Sequence, residues 1–450
     1  MFMRRLKKES CGKESGLGRQ TLFDSNRDLF ERLCAEDNLL EAFLTVKRNR
    51  GAAGVDGVTI QDFEARLHDE LAKLAKELRN WQYKPKPVKR VEIPKEDGSM
   101  RKLGIPCVRD RVMQACLKTI LEEIFEPQFS NSSYGFRPGR RQKDAIKEAQ
   151  SHVHEGRGWV VDIDLAQFFD TMSQDRLIYR LSLKVPDKRI LRLVGIILRS
   201  GVAIDGEFQS TSEGATQGSP ISPLLSNVVL DELDKELEQR GLKFVRWADD
   251  ANIFVKSEEA AKRVLLSITK FIEKKLKLKV NQTKSKAARS QDVKFLGLTI
   301  KNGEVVIARK SMKKAMTKVS QLVRTNSPVP VQKTMERVNL WYIGWAHYFK
   351  MTQYPMQLQM IEAHIRRRFR ARIVRQCKRR KSLCKRLEKR GVKSKTARTQ
   401  AYSSRGPWRL SSGAMNHAYK VEWFIKVMGQ QIFSNRSLSH WHSEKKRIFV

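Results

Sequence analysis

Two adjacent aspartates, Asp249 and Asp250, lie in the stretch Lys243-Phe-Val-Arg-Trp-Ala-Asp-Asp-Ala-Asn-Ile-Phe-Val-Lys256. Carboxylates side by side at a turn repel one another unless a cation neutralises them. Their hard oxygens suit Mg²⁺, which binds through one or two carboxylates plus substrate phosphates. A third carboxylate from a neighbouring strand would complete a two-metal centre for phosphoryl or nucleotidyl transfer. The run Val160-Val-Asp-Ile-Asp164 offers one. Side chains two apart on a strand share a face, so Asp162 and Asp164 point the same way. They sit among Val160, Val161, Ile163 and Leu165, where an isolated carboxylate is costly to bury. Alone, Asp164 reads equally well as a metal ligand or as a solvated strand end. Beside the Asp249-Asp250 pair and a strongly cationic chain, the metal reading is favoured.

Other residues could serve the same chemistry. Phe169, five positions after Asp164, could lie under a nucleotide sugar and exclude a 2′-hydroxyl, although it also reads as a core aromatic. Gln217 and Gly218 precede Ser219-Pro220 and a helix, a small-residue turn that admits close approach of a substrate to backbone, or an ordinary loop-to-helix junction. Lys95 and Arg101 flank a turn and could grip a triphosphate, the arginine by its fork and the lysine as a point charge. Cations in such a place are more often simply solvated.

Positioning these residues requires particular elements. Phe244, Val245 and Trp247 on one side of the aspartate pair, and Ile253, Phe254 and Val255 on the other, predict two strands with the pair at the hairpin tip. Strands are also expected at 88–94, 101–105, 159–165, 295–300 and 305–307. Helices are expected at 29–48, 62–80, 112–125, up to 152, and at 174–184, 187–199, 221–239 and 258–276. Beyond about residue 309 the chain reads as all-helical and basic. Ile361, Ile365, Phe369, Ile373 and Cys377 recur every four residues with Arg and Lys between them, predicting an amphipathic helix with a cationic outer face. The loop Gly51-Ala-Ala-Gly-Val-Asp-Gly57 lacks the spacing of a nucleotide P-loop. Residues 1–28 read as loosely ordered.

Lys and Arg number 89 against 49 Asp and Glu, a formal charge of +40. Self-repulsion of that size points to a polyanionic partner. No apolar run is long enough for a bilayer span, so a membrane partner is not expected. Cys11, Cys34, Cys107, Cys116, Cys377 and Cys384 form no C-x-x-C pair and no zinc spacing with histidine, and read as reduced, partly buried thiols. His152/His154 and His440/His442 read as surface pairs. The N-terminus is basic without an apolar core, so a cytoplasmic location is expected.

The order of motifs resembles the reverse transcriptases of group II introns, the intron-encoded proteins that also act as maturases. The resemblance runs through Ile93-Pro-Lys95, Arg101-Lys-Leu-Gly-Ile-Pro106, Arg109-Asp-Arg-Val-Met-Gln114 and Ser133-Tyr-Gly-Phe-Arg-Pro-Gly139. It continues through Val161-Asp-Ile-Asp164, Phe168-Phe-Asp170, Thr216-Gln-Gly-Ser-Pro220, Arg246-Trp-Ala-Asp-Asp250, Asn281-Gln-Thr-Lys284 and Phe295-Leu-Gly297. Trp341-Tyr-Ile-Gly-Trp-Ala-His-Tyr348 is similar to the maturase thumb, and Tyr402-Ser-Ser-Arg-Gly-Pro-Trp-Arg-Leu410 to a segment near the C-terminus of members with a DNA-binding domain.

The resemblance implies an α+β right-hand polymerase with fingers, palm and thumb, an all-helical maturase thumb and a basic helical C-terminal DNA-binding domain. It divides the chain into an N-terminal extension (1–85), fingers and palm (86–300), thumb (301–375) and DNA-binding domain (376–450). It makes Asp164, Asp249 and Asp250 the catalytic ligands of two Mg²⁺ ions and Phe169 the sugar gate. Lys95 and Arg101 would contact the dNTP triphosphate, and Gln217 and Gly218 would line the nucleotide pocket. Asn281 and Lys284 would pack beside the active site. Arg366, Arg367, Arg370, Arg379, Arg380 and Lys381 are the expected nucleic-acid contacts. The implied partners are group II intron RNA, target DNA, an RNA/DNA primer-template and dNTPs; the implied function is RNA-directed DNA synthesis coupled to splicing and retrohoming. Two departures stand out. Trp247 replaces the family's usual tyrosine, and the tail through Ser437-Leu-Ser-His-Trp-His442 lacks the H-N-H endonuclease pattern. The alternatives are a splicing maturase with a weakened polymerase, an intron-free reverse transcriptase of defence or repair, and an RNA-templated RNA polymerase, which Phe169 argues against.

Overall fold

The computed structural model describes residues 28–94, 98, 100–204, 207–209 and 214–434. The chain forms two compact units that interleave along the sequence. The first draws on residues up to 130, 166–233 and 276–279; the second on 131–165, 234–275 and the chain from 280 onward. Ten strands are described, in chain order β1 (Val88–Pro94), β2 (Met100–Ile105), β3 (Trp159–Ile163), β4 (Val202–Ile204), β5 (Glu207–Gln209), β6 (Lys243–Trp247), β7 (Asp250–Val255), β8 (Lys286–Arg289), β9 (Leu298–Lys301) and β10 (Glu304–Ile307). The mixture of helix and sheet is that of a right-hand polymerase, as expected.

In the first unit a four-stranded sheet has the order β2-β1-β4-β5, with β1 and β4 parallel and the other pairs antiparallel. Lys95, which falls between β1 and β2 in the sequence, lies outside the described residues, as do Cys11, His440 and His442. Two expected single helices are each broken. The first parts at Ala35, which is extended between Leu29–Cys34 and Glu36–Asn49. The second parts at Arg66, between Ile60–Ala65 and Leu67–Arg79. Thr59 starts the former with a reciprocal capping box to Asp62, satisfying two backbone N–H groups that the first turn leaves free.

In the second unit an antiparallel sheet has the order β6-β7-β3-β8. The β6–β7 hairpin is the one expected around Asp249-Asp250. Its β-branched and aromatic residues fill a pleated, buried surface, and Phe244, Val245, Ile253 and Phe254 are all buried. Register sorts the two faces. Asp162 pairs with Asn252 and Val160 with Phe254, which puts these four on one face. Val161 pairs with Ile253 and Ile163 with Ala251 on the other. The helix Gln142–His154 packs against β6 and β7, with His152 buried against the Phe254 ring at 5.3 Å between centroids. His152 is therefore a core residue and not the expected surface one: its ring packs on Phe254, out of water.

From Arg309 on, the described chain is helical. The helix Pro355–Gln376 is enclosed on more sides than an amphipathic surface helix. Arg372 is fully buried and donates to Thr334 Oγ1 (2.7 Å) and to the carbonyls of Ser327 (3.2 Å) and Val329. Glu362, also buried, accepts from the Tyr342 hydroxyl (2.8 Å), the amides of Phe433 (2.8 Å) and Ser434 (3.1 Å), and the Ser434 hydroxyl (2.8 Å). These bonds offset the cost of burying charge. Among the described residues no helix is long and apolar enough to cross a membrane.

Candidate active site

Strand register brings the three predicted aspartates to one end of the second unit's sheet. Asp250 opens β7 opposite Trp247, and Asp164 follows the last residue of β3. Asp164 is fixed through its backbone: its amide donates to the Ser285 hydroxyl oxygen at 3.0 Å, and its carbonyl accepts from the Asn281 amide at 2.8 Å. The Asn281 side chain in turn accepts from the Thr283 amide and hydroxyl and the Lys284 amide, closing a compact turn. Asn281 and Lys284 thus pack beside the aspartate end as expected. Ser285, which the sequence reading did not single out, makes the contact. Trp247 packs against the hydrophobic core with part of its ring exposed.

The electrostatics are those of a crowded, partly buried acidic cluster. Burial first, then the charges of Asp162, Asp249 and Asp164, push the Asp250 carboxyl up to about 8, with Lys294 acting against them. Burial also pushes Asp162 up to about 6, opposed by Lys286 and reinforced by Asp164. Asp162 is therefore part of the cluster; sequence alternation placed it on the right face but gave it no role. Asn252, buried between Asp162 and Val245, has neither amide atom hydrogen-bonded. No three His, Cys, Asp or Glu side chains among the described residues are gathered closely enough to hold a metal ion unaided. Carboxylates that disfavour their own charge, short of a closed cage, fit Mg²⁺, which takes part of its shell from substrate phosphates and water.

Phe169, Gln217, Gly218 and Arg101, the residues expected to face a nucleotide, lie in the first unit. The Phe169 carbonyl accepts from the Ala215 amide at 2.7 Å, and its half-buried ring meets Phe168 edge-on at 5.3 Å. The Gln217 carbonyl accepts from the Gly104 amide at 2.8 Å, tying the 216–218 turn to β2, the strand that carries exposed Arg101. At Gly218 φ is +111°, and a Cβ would lie 2.7 Å from the Gly104 carbonyl, so this close approach needs glycine. Gly218 also lines a cavity of about 560 Å³ with Arg50, Gly51, Ala52 and Arg111. The Gly51–Gly57 loop of the sequence therefore borders a cavity, though it is no P-loop.

The predicted cationic contacts divide. Arg367, Arg379, Arg380 and Lys381 are exposed, and Arg367 lies over the Trp408 ring at 4.1 Å. Arg366 is half-buried. Arg370 is buried, with Nε and Nη2 both donating to the Tyr419 carbonyl at 3.0 and 2.7 Å. The expectation of a nucleic-acid contact at Arg370 is corrected accordingly: its guanidinium closes the end of a helix instead of facing solvent.

Residues 93–300 match the reverse transcriptase (RNA-dependent DNA polymerase) family, and residues 312–391 match the group II intron, maturase-specific domain. Protein YkfC of Escherichia coli (strain K12) is 34% identical over 294 residues, 56% of this chain and 77% of that protein. Group II intron-encoded protein LtrA of Lactococcus lactis subsp. cremoris is 33% identical over 219 residues, 48% of this chain and 36% of that one. A putative COX1/OXI3 intron 2 protein of Saccharomyces cerevisiae is 29% identical over 324 residues, 58% and 38% of the two chains. The match thus spans three quarters of YkfC but little more than a third of either intron protein.

Proposed function

Since the chain belongs to the reverse transcriptase and maturase family of group II introns, we propose that it extends a primer 3′-hydroxyl with dNTPs on an RNA template and binds intron RNA to assist its splicing. The observation that carries this reading is the acidic cluster of Asp162, Asp164, Asp249 and Asp250 at one end of the sheet, with Asp250 pushed up to about 8. When bound, a pair of Mg²⁺ ions would activate the attacking hydroxyl and neutralise the leaving pyrophosphate. Asp164, Asp249 and Asp250 would hold those ions. Arg101, with Lys95, would take the triphosphate; the Phe169 ring would exclude a 2′-hydroxyl. Gln217 and Gly218 would let the nucleotide lie close to backbone. The exposed cations Arg367, Arg379, Arg380 and Lys381, in a chain of net charge +40, support contact with the phosphates of intron RNA and DNA.

The test is primer extension on an RNA template with Mg²⁺ and dNTPs, comparing the parent with Asp249→Asn. Extension by the parent alone supports the reading. Equal extension by both refutes the assignment of Asp249. Extension by neither, with tight RNA binding retained, moves the function to splicing alone.

A further inference from the structure

The turn that presents Asp249 is held in a conformation its sequence does not favour. Ala248, the residue before it, has φ +57°, in the left-handed region that penalises a side chain. Its carbonyl accepts from Arg246 Nη1 at 2.8 Å. The same guanidinium is forked onto Asp234 of the helix Ser222–Gln239, Nε to Oδ1 at 2.7 Å and Nη2 to Oδ2 at 2.6 Å. Arg246 and Asp234 are 1% and 0% exposed, so the pair is out of water.

A second set of contacts reaches the turn from the motif Ser133-Tyr-Gly-Phe-Arg-Pro-Gly139, to which the polymerase reading gives no part. The Arg246 amide donates to the Ser132 carbonyl and the Tyr134 amide to the Arg246 carbonyl, both at 2.9 Å, so residues 132–134 run beside β6 as a short parallel edge. Gly135 then lies against the tip. A Cβ there would be 2.2 Å from the Ala248 amide nitrogen and 2.9 Å from the Trp247 carbonyl carbon, both backbone atoms that cannot swing aside.

We propose that Arg246, oriented by Asp234, is a positioning residue for catalysis. It clamps the Ala248 carbonyl, keeps the left-handed turn, and so holds Asp249 and Asp250 aimed from the sheet end while their mutual repulsion works to spread them. A pair that only stabilised the core would be replaceable by well-packed apolar residues, with no change confined to the hairpin tip. The proposal rests on the reading that Asp249 and Asp250 carry the chemistry, and it assigns a task to residues that hold neither substrate nor metal.

The deciding variants are Arg246→Lys and the double change Arg246→Met with Asp234→Leu, which leaves no unpaired buried charge. The first readout is hydrogen–deuterium exchange of the metal-free protein. Faster exchange is expected at residues 247–251, with the rest of β6, β7 and β3 as slow as in the parent. The second is primer extension, where kcat should fall about 10- to 100-fold, as for a small misplacement of reacting groups, and half-maximal activity should need several-fold more Mg²⁺, with primer-template affinity and dNTP KM within twofold. Parental exchange at the tip, or parental kcat and Mg²⁺ response in either variant, overturns the proposal. So does exchange that quickens evenly across the sheet, which marks a pair serving only the core. The reading that Asp249 carries the chemistry fails separately, if Asp249→Asn extends primers as the parent does. The exchange result still stands in that case, because it needs no activity.

Discussion

Neutralising Asp250 should make the metal-free protein more stable, not less. Its carboxyl titrates near 8 in the folded state and near 3.8 when free. A folded value above the unfolded one means that the native state holds the proton more tightly. That contribution to stability is fully present below about pH 4 and is lost as pH rises through about 8. At 1.36 kcal/mol per unit, the loss at pH 8 reaches roughly 5 kcal/mol as an upper limit. Asp162, pushed up to about 6, adds a smaller loss over the lower part of the same window. Asp250→Asn keeps the shape and removes the largest of these terms. In EDTA, the melting temperature of the parent should fall steadily from pH 5 to pH 8, whereas the variant should fall only by the smaller Asp162 share and melt on the order of 10 °C higher at pH 8. Saturating Mg²⁺ should restore the parent at pH 8 and do little for the variant, because a ligand stabilises only the state that binds it. Thermal melts followed by circular dichroism read both effects. A parent whose melting is flat between pH 5 and 8 in EDTA, or a variant less stable than the parent at pH 8, would refute the account of the acidic cluster as a charge-strained cation site.

Phe169→Ala should raise incorporation of rNTPs relative to dNTPs in single-nucleotide extension; an unchanged preference would remove the sugar-gate role. Gly218→Ala, with its Cβ forced to 2.7 Å from the Gly104 carbonyl at φ +111°, should cost about 1–3 kcal/mol in stability and lower extension, measured by denaturant unfolding beside the activity assay. Glu362→Ala would strand the Tyr342 hydroxyl, two amides and the Ser434 hydroxyl, and should lower stability by about 3–5 kcal/mol in urea titration; a loss below 1 kcal/mol would mean water replaces the carboxylate.

How much could be read from the chain alone differs by kind of signal. The β6–β7 hairpin was legible because β-branched and aromatic runs flank two acids, and the shared face of Asp162 and Asp164 followed from the period of a strand. β8 was not legible. Lys286-Ala-Ala-Arg289 has no strand pattern of its own and is extended because β3 offers it a partner edge. The breaks at Ala35 and Arg66 likewise carry no Gly or Pro signal. Arg370 and Arg372 read as solvent-facing because arginine usually is. Their acceptors, the carbonyls of Tyr419, Ser327 and Val329 and the Thr334 hydroxyl, come from segments that no local pattern links to that helix. Arg246 could not be assigned either: one arginine before an aspartate pair gives no hint of a carboxylate twelve residues upstream in a helix.

The order in which the central sheet is strung along the chain has a consequence for synthesis. β3 is made early, but its partners β7 and β8 come much later, and the Ser285 hydroxyl that fixes Asp164 lies 121 residues downstream of it. At about 5–20 residues per second, a ribosome takes roughly 6–24 s to cover that distance. Both edges of β3 lack a partner until β7 is made, and the other edge stays open until β8 follows. Asp249 and Asp250 emerge with the start of β7 and before β8 is made, so the repulsive cluster is complete while one edge of β3 still lacks its partner.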